Sequence, residues 1–160
     1  MAFWRRGGQG TKGQHDEVVM LGREVVAAAY PSELEIFDDV AAELRRGRAL
    51  ATRPLRAPVG MGVDLSAVSP ALLAVLSFLA AATVTGAVEW TVATIGDTGR
   101  RRLAALMTRQ SPAVALDADE ESAVYAEVVA AAERHGLDRG RAETMGAAVI
   151  GALRLRGGRE

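Results

Sequence analysis

From Leu65 to Val88 the chain runs through 24 residues, LSAVSPALLAVLSFLAAATVTGAV, without one charged side chain, and the next residue is Glu89. No other stretch restricts the fold so strongly. A helix that is apolar all round must be enclosed, by protein or by lipid. Ser69-Pro70 reads as a start signal, with Ser capping and Pro at the first helical position, and Gly96 supplies a stop. The pattern predicts one long, fully apolar central helix over about residues 70–95. Pro70 to Val88 would extend ~28 Å at about 1.5 Å per residue, against a hydrocarbon thickness of ~30 Å.

Insertion energetics do not separate the two enclosures. Five Leu, four Val and one Phe in the stretch contribute about −3 to −6 kcal/mol, and Glu89 deep in a bilayer would add roughly +2.5 to +3.5 kcal/mol. Leu72, Val75, Leu76, Phe78 and Leu79 are the candidate membrane or core residues, and Trp90 is a candidate interfacial anchor. Arg53 and Arg56 before the stretch, and Arg100, Arg101 and Arg102 after it, form a basic flank that could meet anionic headgroups. Small residues four apart, Ala81 with Thr85 and Ala82 with Gly86, would let a second helix approach closely in either solvent.

Punctuation divides the remainder into helices, giving an all-α fold of about six. Residues 1–14 are Gly-rich and polar and read as a disordered arm. Asp16–Ala29 places Val18, Leu21 and Val25 on one face and ends at Tyr30-Pro31. Ser32-x-x-Glu35 fits a capping box for a second helix with Ile36, Phe37, Val40, Ala41 and Leu44 as its stripe. Arg45–Asp64, with two Pro and three Gly, reads as a loop. Asp97 can cap a helix over Thr98–Arg109, with Leu103, Leu106 and Met107 inward. Asp117-x-x-Glu120 starts another that runs to His135, Gly136 suits the left-handed closing position, and Asp138 caps a last helix to about Leu155. Residues 15–110 thus form a helical region around the apolar helix, and 111–157 a C-terminal helical hairpin. No strand pattern is found.

Composition narrows the function classes. There is no Cys, which removes disulfides, thiolate metal sites and Cys nucleophiles. The two His, His15 and His135, are far apart. Gly7–Gly13 lacks the Gly-Lys-Ser/Thr order of a phosphate loop. Asp38 and Asp39 are adjacent and point to different helix faces, and Asp119-Glu120-Glu121 suits a helix start. The expectation is no enzyme, with no catalytic, cofactor or metal residue. Net charge is −1, and the C-terminal hairpin pairs its few Arg with many acids, so nucleic acid is not an expected partner.

The basic opening residues have no apolar run behind them and do not read as a signal peptide. The expected location is the cytoplasm, at the inner membrane face. The first functional expectation is a non-enzymatic helical protein held at that face by its apolar segment, an accessory or effector component. The alternative is a soluble helical protein–protein adaptor with the apolar helix as its core. Membrane lipid, a protein partner or a second copy are the expected partners.

The runs YPSELEIFDDVAAEL, APVGMGVD and GLDRGRAETMGAAVIGAL together resemble small actinobacterial proteins of conflict and signalling operons, of the effector-associated type. The resemblance spans about residues 25–155. It implies a partner-binding accessory role and assigns no functional residue.

Overall fold

The computed structural model describes residues 9–46, 68–85, 95–108 and 115–158. These form six α-helices and no strand: α1 (Gln9–Ala29), α2 (Leu34–Arg45), α3 (Val68–Thr85), α4 (Asp97–Thr108), α5 (Ala118–Arg134) and α6 (Arg139–Gly157), with a short 3-10 turn, Pro31–Glu33, between α1 and α2. The all-α expectation holds. α1 begins at Gln9 rather than Asp16, so part of the expected arm is helical.

The C-terminal hairpin follows its local signals. Asp117 accepts from the Glu120 N–H at 2.8 Å, and the Glu120 carboxylate accepts from the Asp117 N–H at 3.0 Å, closing the capping box. At the other end of α5, Gly136 has φ 90°. There the Leu137 N–H donates to the Ala132 carbonyl at 3.1 Å and the Gly136 N–H to the Glu133 carbonyl at 2.9 Å. That pair of bonds is the Schellman closure, and Leu137 folds back into the core. Asp138 then accepts from the Arg141 N–H at 3.0 Å and starts α6. Gly146 lets the two helices meet, since a Cβ there would lie 2.9 Å from the Tyr125 ring.

The centre of the bundle departs from expectation. It is shared by two helices rather than formed by one long one. α1 packs on α2, α3, α4 and α6, and α3 on α1, α2, α4 and α5. α3 has 18 residues and the chain is non-helical at Ile95 and Gly96, so among the described residues a helix over 70–95 is not shown. Residues 86–94, which include Glu89 and Trp90, lie outside the described residues. Among the described residues, no helix is long and apolar enough to cross a membrane.

α3 is enclosed by protein. Leu72, Leu73, Val75 and Leu76 are 0% exposed and Leu79 is 1% exposed. Each such side chain contributes about 1.5–3 kcal/mol when withdrawn from water. A narrower seam of Pro70, Ala74, Ser77 and Phe78 is half-buried, and Ala81 is exposed. On α1, Gly22 admits the Phe37 ring of α2, which would otherwise meet a Cβ at 2.8 Å. At Gly22 and at Gly146 the missing Cβ admits an aromatic ring from the facing helix, so close approach makes full use of the few large side chains in a chain with 4% aromatic residues.

Candidate functional site

Polar groups inside a bundle cost free energy unless paired, so the buried ones mark where the fold does more than collapse. Among the described residues Glu33, Ser69, Glu120, Glu127 and Arg156 are the buried polar or charged side chains. They fall into three clusters, with Glu127 apart from them in a pair within α5.

The first joins the turn after α1 to the start of α3. Glu33 is 1% exposed. Its Oε2 accepts from the Ser69 hydroxyl at 2.8 Å and from the Ser69 N–H at 3.2 Å. Ser69 N–H is one of the donors that a helix start leaves without an intrahelical acceptor, so Glu33 caps α3 from a distance. Glu33 Oε1 is buried with no hydrogen-bond partner among the described residues, and so is the Tyr30 hydroxyl. Burial pushes the Glu33 carboxyl above its ordinary range, while the two Ser69 bonds and the Arg141 charge pull it down. Burial also raises Tyr30, helped by the Glu33 charge and opposed by Arg141.

The expected local caps are absent here. Ser32 is exposed and lies in the 3-10 turn, and α2 begins at Leu34 with no side-chain cap. Ser69 does not cap α3 either, since the helix starts at Val68 and the Ser69 hydroxyl donates to Glu33. The physical reason is competition: one buried carboxylate satisfies both the Ser69 hydroxyl and an orphan N–H, so the serine is not needed as an acceptor.

The second cluster is built on Arg156 at the end of α6. Its side chain is 3% exposed, and Nε donates to Glu24 Oε2 of α1 at 2.9 Å. One terminal nitrogen donates to the carbonyls of Leu106 at 3.0 Å and Met107 at 2.9 Å. Those carbonyls lie in the last turn of α4, where a cation complements the helix dipole. Arg156 thereby ties α1, α4 and α6 together.

The third holds α4 against α5. Arg102 reaches Glu120 Oε2 at 3.1 Å and Asp117 Oδ2 at 3.8 Å. Gly99 makes room for the Glu120 carboxylate, which a Cβ would approach to 2.9 Å. Glu127, also buried, accepts from Arg134 at 3.0 Å, and the Arg134 guanidinium carbon lies 5.7 Å from the centre of the Phe78 ring.

The residues singled out from sequence separate accordingly. Leu72, Val75, Leu76 and Leu79 come together as core, and Phe78 lies half-buried beneath Arg134. Arg102 is engaged with Glu120, and Arg100 pairs with Asp97 inside α4. Of the three α4 arginines, Arg101 alone points into solvent. Two of the five arginines of the expected lipid-facing flank, Arg100 and Arg102, thus form intramolecular ion pairs. Arg53, Arg56 and Trp90 lie outside the described residues.

Glu33 and Arg156 escaped the sequence reading, although a signal existed for each. Glu33 is one helical step before Phe37 on the stripe Phe37–Ala41–Leu44, and Arg156 continues the stripe Val149–Leu153. A charged residue in phase with an apolar stripe points inward. Reading it as a stripe end discards that information.

A cleft of about 170 Å³ opens between α4, α5 and α6, lined by Leu106, Leu116, Ile150 and Leu153. At its edge Arg154 and Glu121 satisfy each other at 2.8 and 2.5 Å. Among the described residues no group of His, Asp and Glu is placed to hold a metal ion. No known family, curated protein or solved structure matches this chain.

Proposed function

We propose that this protein is a non-enzymatic helical adaptor, a protein–protein interaction module in which the apolar helix serves as core. The observation that carries this reading is the enclosure of α3: Leu72, Leu73, Val75, Leu76 and Leu79 face α1, α2, α4 and α5 rather than a lipid surface. Exchanging that enclosure for a bilayer would dismantle the packing of the whole bundle. The basic side chains of α4 support the same reading, because Arg100 and Arg102 are spent on Asp97, Asp117 and Glu120. The polar clusters tie helices to one another, and the one hydroxyl they set beside a carboxylate, Ser69 on Glu33, is buried away from any substrate, which suits a scaffold whose outside does the work.

Fractionation of the untagged protein tests the reading. The expected result is recovery without detergent, followed by one cooperative unfolding transition in the same sample. Retention in the membrane pellet through a carbonate wash, with release by detergent, would return α3 to the role of a membrane segment and overturn it.

A further inference from the structure

A proton on Glu33 is the unused chemical element of this fold. The carboxyl lies at a helix start, yet it departs from an ordinary exposed cap. Ordinary caps act on their own helix from the surface. Glu33 is 1% exposed and acts on a helix 36 residues further along the chain. Its two oxygens are also treated differently. Oε2 holds two donors from Ser69, and Oε1 is enclosed with no donor among the described residues. An ionised carboxylate leaves that second oxygen bare, a costly arrangement in a dry interior. A neutral carboxylic acid lowers the cost: Oε2 becomes the carbonyl oxygen and keeps both Ser69 bonds, and Oε1 becomes a hydroxyl, which costs less to leave unpaired than a charge.

We propose that Glu33 is a proton-operated latch on the start of α3. With a proton taken from solvent onto Oε1, the turn Pro31–Glu33 holds Val68–Ser69 closed against the bundle. With the proton lost, the latch loosens and the first turn of α3 opens more often. The charged and titratable groups that act on Glu33 are Arg141 of α6, which favours the ionised form, and Tyr30 at the end of α1, which is itself buried. Ser69 is the sole contributor from α3. Burial outweighs the Ser69 bonds and Arg141 in the net direction, which is upward from the ordinary 4.5.

The direction of the pH effect follows from linkage. The folded protein binds this proton more tightly than the unfolded chain does. The latch therefore contributes fully below the ordinary carboxylate range, and its contribution is lost as the pH rises through the higher folded value. Acid closes the latch and alkali loosens it, opposite to the acid-triggered release expected of a salt-bridged carboxylate.

Hydrogen exchange on the full chain tests this, with the Ser69 amide as reporter and the α5–α6 amides as internal control. In the wild type the opening ratio at Ser69, corrected for intrinsic exchange, should rise as the pH is raised above the ordinary carboxylate range. The limit is about tenfold for each unit by which the folded carboxyl exceeds the unfolded one. The Glu33→Gln variant, which keeps a carbonyl acceptor for Ser69 and cannot ionise, should show no rise. An equal pH response in the two proteins would overturn the proposal. Should Glu33→Gln fail to fold, the carboxyl carbon of Glu33 in ¹³C-labelled wild type decides the matter. Titration above the ordinary carboxylate range supports the latch, and titration at or below it removes the latch. Neither result bears on the adaptor reading.

Discussion

The hairpin α5–α6 and the α1–α3 side of the bundle use the same device, a side-chain oxygen on an orphan N–H, over different distances. In the hairpin, Asp117 serves Glu120 and Asp138 serves Arg141, each three residues away. On the other side the oxygen comes from Glu33 and the N–H from Ser69, 36 residues apart. The first kind forms as soon as its own helix forms. The second exists only when the turn after α1 and the start of α3 have already been brought together. A local cap can be read from sequence together with its helix start, whereas a remote cap such as Glu33 on α3 cannot.

Three pairs of substitutions sharpen that contrast. The largest effect belongs to Leu76→Arg set against Leu155→Arg. Leu76 is 0% exposed and Leu155 66%. An unpaired charge in the core costs ~4 kcal/mol or more, a large part of the ~5–15 kcal/mol that holds a domain together. The Leu76 variant should lose its cooperative melt by circular dichroism, and the Leu155 variant should stay within about 0.5 kcal/mol of the parent. Comparable losses from both would mean that α3 is not the core.

Two glycines of α6 come next. A Cβ at Gly146 meets the Tyr125 ring at 2.9 Å, whereas one at Gly151 meets nothing within 4 Å. Gly146→Val should cost about 1–3 kcal/mol in urea unfolding through overpacking. Gly151→Ala should gain about 0.5–1 kcal/mol by removing backbone freedom from the unfolded chain. A gain at both positions would show that α5 and α6 do not depend on that close approach.

The smallest contrast compares the two serine- or aspartate-led helix starts directly. Asp117→Ala should cost about 1 kcal/mol, the usual loss for an N-cap. Ser32→Ala should cost no more than a few tenths, because Ser32 is exposed and caps nothing. Thermal midpoints of the two variants would settle it, and equal losses would restore Ser32 as a cap.

Much of the bundle was legible because its signals are local. Gly136 predicts the left-handed closure that it adopts at φ 90°, and the stripes with Leu103, Leu106 and Met107 on α4 or Met145 and Val149 on α6 face the core as expected. The start of α2 at Leu34, which has no side-chain cap, lies beyond the expected Ser32 cap, and α1 reaches back to Gln9. The remote partners were not legible, since nothing near Glu33 names Ser69 and nothing near Arg156 names Glu24 or the end of α4.

By itself the sequence determined that this protein is helical, where its apolar faces lie, and that a charge-free stretch of 24 residues must be enclosed. Periodicity and capping chemistry act over one or two turns, and they suffice for those statements. The tertiary structure decided what encloses the described part of that stretch, α3, namely the other helices of the same chain. It also decided which charges are buried. A lone carboxylate or guanidinium becomes tolerable inside only where another element delivers donors or acceptors to it, as Ser69 does for Glu33 and the α4 carbonyls do for Arg156. That delivery is a property of the assembled bundle, not of any segment of it.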